Sequence, residues 1–155
     1  MRRLTPILSF FLLASCYQDP AIPKQRDEIL LRLTLSKATI HAGEPDTIRV
    51  TATNNIAEPI TIRFPNACMV FAYIRDPRGR VVTPGRGWSC IPVVSTLNLN
   101  VNQVRTFTFV WTGLSEFDGT LQPTPLTPGD YYATATLQSG DFAVHTPPVR
   151  VTLLP

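Results

Sequence analysis

The chain has 155 residues, with 14 basic against 11 acidic side chains for a formal charge of +3, 44% hydrophobic residues and 15 prolines. That length suits one domain around a single core. The charge is nearly balanced, and Arg75, Arg78, Arg80 and Arg86 form its only local concentration of cations, so the dense basic face that nucleic acid requires is missing. No apolar run reaches the roughly twenty residues of a membrane-spanning helix.

The chain opens with Arg2 and Arg3, an apolar run from Leu4 to Leu13, and then small residues, which are the three parts of an export signal. The run closes on Leu13-Ala14-Ser15-Cys16, which resembles the lipobox of bacterial lipoproteins. Residues 1–15 are therefore expected to be a signal peptide, and Cys16 the lipid-bearing residue of the mature N-terminus. Two or three acyl chains, at about 0.8 kcal/mol per buried CH2, would hold the protein stably to a membrane where one chain would not. Export to the cell envelope follows. The outer membrane is favoured in a Gram-negative host, because Tyr17 stands where an aspartate would resemble an inner-membrane retention signal. Removing Arg2 and Arg3 with the signal leaves a formal charge of +1.

Residues 16–28 are polar with two prolines, Pro20 and Pro23, and read as a flexible tether. From residue 29 to 155 a single domain is expected, built from short runs with period-two alternation and almost no helical periodicity. Leu31, Leu33 and Leu35 share the first inner face, and the turn His41-Ala42-Gly43-Glu44-Pro45 follows. The run from Asp46 to Asn54 then alternates Ile48, Val50 and Ala52 against polar residues. Ile60, Ile62 and Phe64 face inward in a third run. In a fourth, either Phe71 and Tyr73 or Val70, Ala72 and Ile74 do so. Asp76-Pro77-Arg78-Gly79 is a turn with proline at its second position and glycine at its fourth.

Thr83 to Pro92 is irregular, rich in proline and glycine, and contains Arg86, Trp88 and Cys90. It reads as a loop, in which Trp88 is either a lid folded onto the domain or a displayed binding residue. Alternation resumes at Leu97, Leu99 and Val101. The clearest run, Val104 to Trp111, then places Phe107, Phe109 and Trp111 on one face as expected core. A long connection after Gly113 leads to Pro128-Gly129-Asp130-Tyr131, which looks like the tyrosine corner of immunoglobulin-like sandwiches. Runs from Tyr131 to Leu137, Phe142 to His145 and Val149 to Leu153 complete the chain. About seven to nine short strands predict an all-β, immunoglobulin-like antiparallel sandwich, with a jelly roll or small barrel as the alternative.

Once lipid occupies Cys16, Cys68 and Cys90 remain as an even pair in an oxidising compartment, and a disulfide between them is expected. The supply of catalytic residues is poor. His41 and His145 are far apart, each at a strand end, and no Gly-x-Ser-x-Gly turn presents a nucleophile. The carboxylates Glu44, Asp46, Asp76, Glu116, Asp118, Asp130 and Asp141 fall at turns, where such side chains bond nearby amides. Asp118-Gly119 with Glu116 lacks the oxygen spacing of a calcium loop, and no glycine-rich phosphate cradle is present. The expectation is a monomeric, non-catalytic binding or scaffold module, with no cofactor, no metal and no nucleic acid. Its partners would be the membrane, through Cys16, and a protein that is either a protease or another envelope component.

Four segments resemble the BsuPI-type intracellular proteinase inhibitor family. Thr51-Ala52-Thr53-Asn54-Asn55 through Glu58-Pro59-Ile60-Thr61-Ile62-Arg63-Phe64 is similar to its opening, and Tyr73-Ile74-Arg75-Asp76-Pro77-Arg78-Gly79-Arg80-Val81 to its central hairpin. Thr106-Phe107-Thr108-Phe109-Val110-Trp111 is similar to its tryptophan strand, and Leu126-Thr127-Pro128-Gly129-Asp130-Tyr131 to its Pro-Gly-x-Tyr turn. The resemblance implies an immunoglobulin-like sandwich and inhibition of a serine protease. A disulfide-tethered loop around Arg86 would suit that role, since preorganisation lowers the entropy cost of binding.

Overall fold

A computed structural model describes residues 28–117, 123–140 and 142–155. The expected signal peptide, the lipid site at Cys16, nearly all of the tether, and Asp118, Gly119 and Asp141 lie outside the described residues. Within them there is no helix, and eleven strands follow one another. These are β1 (Ile29–Leu35), β2 (Thr39–His41), β3 (Asp46–Asn54), β4 (Ile60–Phe64), β5 (Val70–Arg75), β6 (Val81–Thr83), β7 (Ser95–Leu99), β8 (Val104–Trp111), β9 (Gly129–Ser139), β10 (Phe142–His145) and β11 (Val149–Leu154).

Alternation decides which way each strand faces. In β1 the buried residues are Ile29, Leu31 and Leu33; in β3 they are Ile48, Val50 and Ala52; in β4 they are Ile60, Ile62 and Phe64. In β5 it is Val70, Ala72 and Ile74 that turn inward, which settles the alternative left open there. One layer holds β1-β3-β8 together with the β4-β7 pair, and the other is a six-stranded sheet in the order β2-β11-β9-β5-β6, with β10 also on β9. Strands β1 and β4 lie across β9, and the inner residues of both layers merge into one core. This is the immunoglobulin-like β-sandwich that the pattern predicts.

It departs from that prediction in two ways. Eleven strands replace seven to nine, because β2 and β6, three residues each, are too short for a period to register, whereas the four-residue β10 has the bounds its run predicts. The sheets are also not wholly antiparallel, since β2 runs parallel to β11 with Ile40 opposite Leu153.

Tyr131 makes the expected corner, its hydroxyl donating to the Thr127 carbonyl at 2.7 Å. Asn54 is fully buried at the end of β3 and joins the two parts of its layer. Its Nδ2 donates to the carbonyls of Glu58 at 2.7 Å and of Leu99 and Asn100 at 3.1 Å, while its Oδ1 accepts from the Ile56 amide at 3.0 Å. Burial of a primary amide is tolerated only when it is satisfied in this way.

In the β5–β6 turn, Asp76 Oδ1 accepts the amides of Arg78 and Arg80 at 2.9 Å, and Oδ2 accepts the Arg80 guanidinium at 2.7 Å. Desolvation is the largest single influence on the Asp76 carboxyl and pushes it up. The bonds from the Arg80 side chain and from the two amides together outweigh it and hold the carboxyl below its usual value. Gly113, at φ 75°, ends the turn out of β8 where a Cβ would stand 2.7 Å from Leu153 Cδ1, so both backbone and space call for glycine.

Candidate functional site

The loop between β6 and β7, residues 84–94, is the longest described segment without strand structure, and Pro84, Gly85, Gly87 and Pro92 explain why no strand continues through it. It has two parts. The first is pinned to the connection that follows β8. Thr83 Oγ1 donates to the Leu114 carbonyl at 2.7 Å, the Gly85 amide to the Ser115 carbonyl at 2.7 Å, and the Arg86 amide to Glu116 Oε1 at 3.0 Å. The chain then turns back, the Gly87 amide bonding the Pro84 carbonyl at 3.1 Å with Gly87 at φ 76°.

Trp88 is the fastening of this first part. Its indole N–H donates to the Ala72 carbonyl of β5 at 3.1 Å. Its ring stands edge-on to Phe71 and Phe109, at centroid distances of 5.9 and 5.5 Å, and stacks on Phe117 at 5.6 Å. Aromatic pairs at such separations add about 0.5–1.5 kcal/mol each beyond the area they bury. Trp88 is therefore packed against the domain and half-buried. Beside it lies a cleft of about 420 Å³, whose walls include Pro84, Trp88, Thr108, Phe109, Glu116 and Phe117.

The second part begins at the disulfide from Cys90 to Cys68, which ties the loop to the β4–β5 connection. The Ala67 amide then donates to the Ile91 carbonyl at 3.0 Å, and Ser95 Oγ to the Asn66 carbonyl at 2.7 Å, so the chain is gripped on both sides of residues 92–94. Within the grip the Val93 amide bonds the Ile91 carbonyl at 2.8 Å, a tight turn with Pro92 at its centre. Ile91, Val93 and Val94 are 67%, 58% and 60% exposed, and Pro92 is exposed with them.

The residues singled out from sequence thus separate. Cys68 and Cys90 are bonded, and Arg86 is exposed on the pinned part. His41 Nδ1 lies 2.8 Å from the Pro155 carbonyl and His145 Nδ1 2.9 Å from Thr136 Oγ1. Among the described residues, no group of three His, Cys, Asp or Glu side chains comes together as a metal site.

Asp46 and Glu116, two of the carboxylates expected to bond backbone amides at turns, do so while buried. Asp46 Oδ1 accepts Ser36 Oγ at 2.6 Å and the Lys37 amide at 3.0 Å, and Glu116 accepts Arg86. The expected aromatic face of β8 is only partly core: Trp111 is fully buried, whereas Phe107 and Phe109 are half-buried, and Val101 in the preceding turn is exposed.

Sequence reasoning missed the run Ile91-Pro92-Val93-Val94. The signal was available, since three branched aliphatics around a proline, between a cysteine and the resumption of alternation at Ser95, fit neither a core strand nor a polar turn. It missed Phe117 as well, whose burial depends on a contact with Trp88 that no local pattern encodes.

Residues 33–142 match the sequence family described as BsuPI, intracellular proteinase inhibitor. No curated protein matches the chain. Among solved structures, a CARDB domain from Pyrococcus furiosus in complex with di-metal ions is similar at 14% identity and a TM-score of 0.46, over 81% of this chain and 87% of that one. A β-glucosidase from Erythrobacter marinus is similar at 17% identity and a TM-score of 0.46, over 81% of this chain and 15% of the glucosidase. An alkylpurine DNA glycosylase from Pseudomonas fluorescens, bound to DNA containing an abasic site analog, is similar at 12% identity and a TM-score of 0.49, over 83% of this chain and 31% of that one. The chain thus spans well under half of each of these two enzymes.

Proposed function

Because the chain belongs to the BsuPI intracellular proteinase inhibitor family, we propose that it is a non-catalytic module that holds a proteinase by the stapled loop between β6 and β7. One observation carries this reading: the loop displays side chains outward while its main chain is already fixed by a disulfide, by Trp88 and by hydrogen bonds on both sides. A segment ordered before binding loses little entropy on binding, which is the advantage an inhibitor needs over a flexible substrate. Sequence pattern alone favoured a general scaffold module, and family membership tips the balance towards inhibition.

The full chain, purified in mild detergent, should inhibit at least one member of a panel of trypsin-like, chymotrypsin-like and elastase-like serine proteinases at micromolar concentration. Absence of inhibition across the panel would remove the proteinase from this reading and leave an envelope protein as the partner.

The module is proposed to act from a membrane surface, tethered by lipid on Cys16. Leu13-Ala14-Ser15-Cys16 and the apolar run before it support that location. Mass spectrometry of membrane-extracted protein should return a lipopeptide that begins at Cys16, and an uncut or unmodified N-terminus would refute the tether.

A further inference from the structure

The two layers of the sandwich end in edges of different kinds. In the six-stranded sheet the outermost strands, β2 and β6, have three residues each and offer little to pair with. Strand β8 has eight residues and pairs with β3 on one side only. The register decides what its other side presents. The Asn54 amide donates to the Gln103 carbonyl at 3.1 Å, and opposed residues of an antiparallel pair exchange bonds at alternate positions. Arg105, Phe107, Phe109 and Trp111 therefore bond β3, opposite Ala52, Val50, Ile48 and Asp46. The amides and carbonyls of Val104, Thr106, Thr108 and Val110 point the other way, and among the described residues nothing pairs with them. Nothing guards this edge either. The strand holds no proline, lysine or bulge, and Val104, Thr106 and Thr108 are exposed along it.

The edge runs into the cleft beside Trp88. Thr108, Phe109 and Val110 form one of its walls, with Trp88, Glu116 and Phe117 across from them. The raised crest of the loop, residues 91–94 between Cys90 and Ser95, takes no part in these walls. Phe109 faces inward and meets Trp88 and Phe117 at ring distances of 5.5 and 5.7 Å. A strand laid along the edge sets one residue directly opposite Phe109, with the two Cβ atoms about 5 Å apart on the same face. That side chain enters the cleft. There it meets aromatic rings and the Glu116 carboxylate, which is 3% exposed and accepts the Arg86 amide on Oε1. A carboxylate has room for several such bonds. Rings beside a shielded carboxylate suit a basic side chain, whose methylene stem lies along the rings while its cation reaches the oxygens. Four residues back along β8 and on the same face, the exposed Arg105 calls for an acidic neighbour.

We propose that the free edge of β8 and the adjoining cleft form a docking site for an extended segment of another protein. The segment adds as an antiparallel strand beside residues 104–110, places a lysine or arginine in the cleft, and sets an acidic residue, four positions later in its own sequence, against Arg105. Main-chain bonds to Val104, Thr106, Thr108 and Val110 hold it, and the two charges select it, which is the division of labour in strand addition. The site is separate from the crest and does not depend on the inhibitor reading above.

The probe is a blocked, fluorescein-labelled nine-residue peptide of alternating threonine and valine, with one lysine and, four residues later, one glutamate. Its anisotropy is followed as the full chain is added in mild detergent, with micelles alone as the blank. The peptide should bind, and exchanging its lysine and glutamate should weaken binding by about tenfold or more, the scale of a charge-assisted hydrogen bond. Methylating the amide of the residue after the lysine, which bonds the β8 edge, should abolish binding. Methylating the lysine's own amide, which points away from β8, should not. Glu116→Gln keeps an acceptor for the Arg86 amide and should bind a lysine peptide and its norleucine counterpart alike, where the parent chain prefers lysine by about tenfold. Arg105→Glu should likewise remove the preference for glutamate.

No binding at millimolar peptide, equal loss from methylation at either amide, or an undiminished preference for lysine in folded Glu116→Gln would each overturn the proposal. So would a stable dimer in light scattering that the peptide cannot dissociate, since a second copy would then hold the edge. None of these results bears on the proteinase panel, so the docking site and the inhibitor reading stand or fall separately.

Discussion

Replacing Trp111 by alanine should lower unfolding free energy by about 4 kcal/mol, within the range for truncating a large buried aromatic. Trp111 ends β8 opposite Asp46 and is fully buried. Its ring meets Tyr131 edge-on at 5.9 Å, and its N–H donates to the Leu114 carbonyl at 2.9 Å. The loss therefore has three physical sources: transfer of the ring out of the core, a cavity beside the tyrosine corner, and a weakened Leu114 carbonyl. That carbonyl also accepts Thr83 Oγ1, so it keeps one partner and the penalty stays within range. Trp111→Phe retains most of the packing and should lose about 1–2 kcal/mol. Denaturant midpoints for the two variants check this, and a loss below about 1 kcal/mol for the alanine variant would show that the indole is not central to the core.

The second large effect is expected from the double variant Cys68→Ser with Cys90→Ser. The bridge spans 22 residues of sequence, and opening a loop of that size releases chain entropy worth roughly 3 kcal/mol in the unfolded state. Stability is only part of the consequence. The bridge fixes one end of residues 91–94, so without it the crest must be ordered at the moment of binding, and inhibition should weaken more than the melting temperature alone explains. Unfolding curves and inhibition constants, measured with and without reductant, separate the two effects. A variant that is destabilised yet inhibits as well as its parent would place the binding surface elsewhere.

Much of the scaffold is legible in the sequence, because half-buried strands write their orientation into alternation. Asp46–Asn54 and Ile60–Phe64 emerge with the same bounds from pattern and from structure. Where both faces of a strand are covered, the pattern loses its meaning. In β5, Phe71 contacts Trp88 and Tyr73 lies under the Arg75 guanidinium, so both sets of residues look apolar in sequence although only Val70, Ala72 and Ile74 face the core. Strand β8 misleads in the other direction. It lies at the edge of its three-stranded sheet, and Phe107 and Phe109 are covered less than their hydrophobicity suggests. Strand β2 leaves no trace, because three residues beside β11 are held by a partner more than a hundred positions away.

The candidate site is less legible for a related reason. The cysteines could be paired by counting, but the division of the loop into a pinned and a raised part depends on contacts with residues 66–67, 72 and 115–117. None of these is a sequence neighbour of the loop. Arg86 drew attention as the charged residue in an irregular stretch, whereas the structure gives prominence to an aliphatic run that carries no motif.

The separation of the fastenings from the crest has an evolutionary meaning. The groups that hold the loop down, Trp88, the disulfide, Glu116 and the Asn66 carbonyl, are distinct from the side chains displayed at positions 91, 93 and 94. Exposed positions of that kind exchange residues at a cost within about 0.5 kcal/mol. If the loop binds a proteinase as proposed, exchange at these three positions would change its target with no compensating change in the core. The same division makes the crest a natural graft point for foreign recognition sequences.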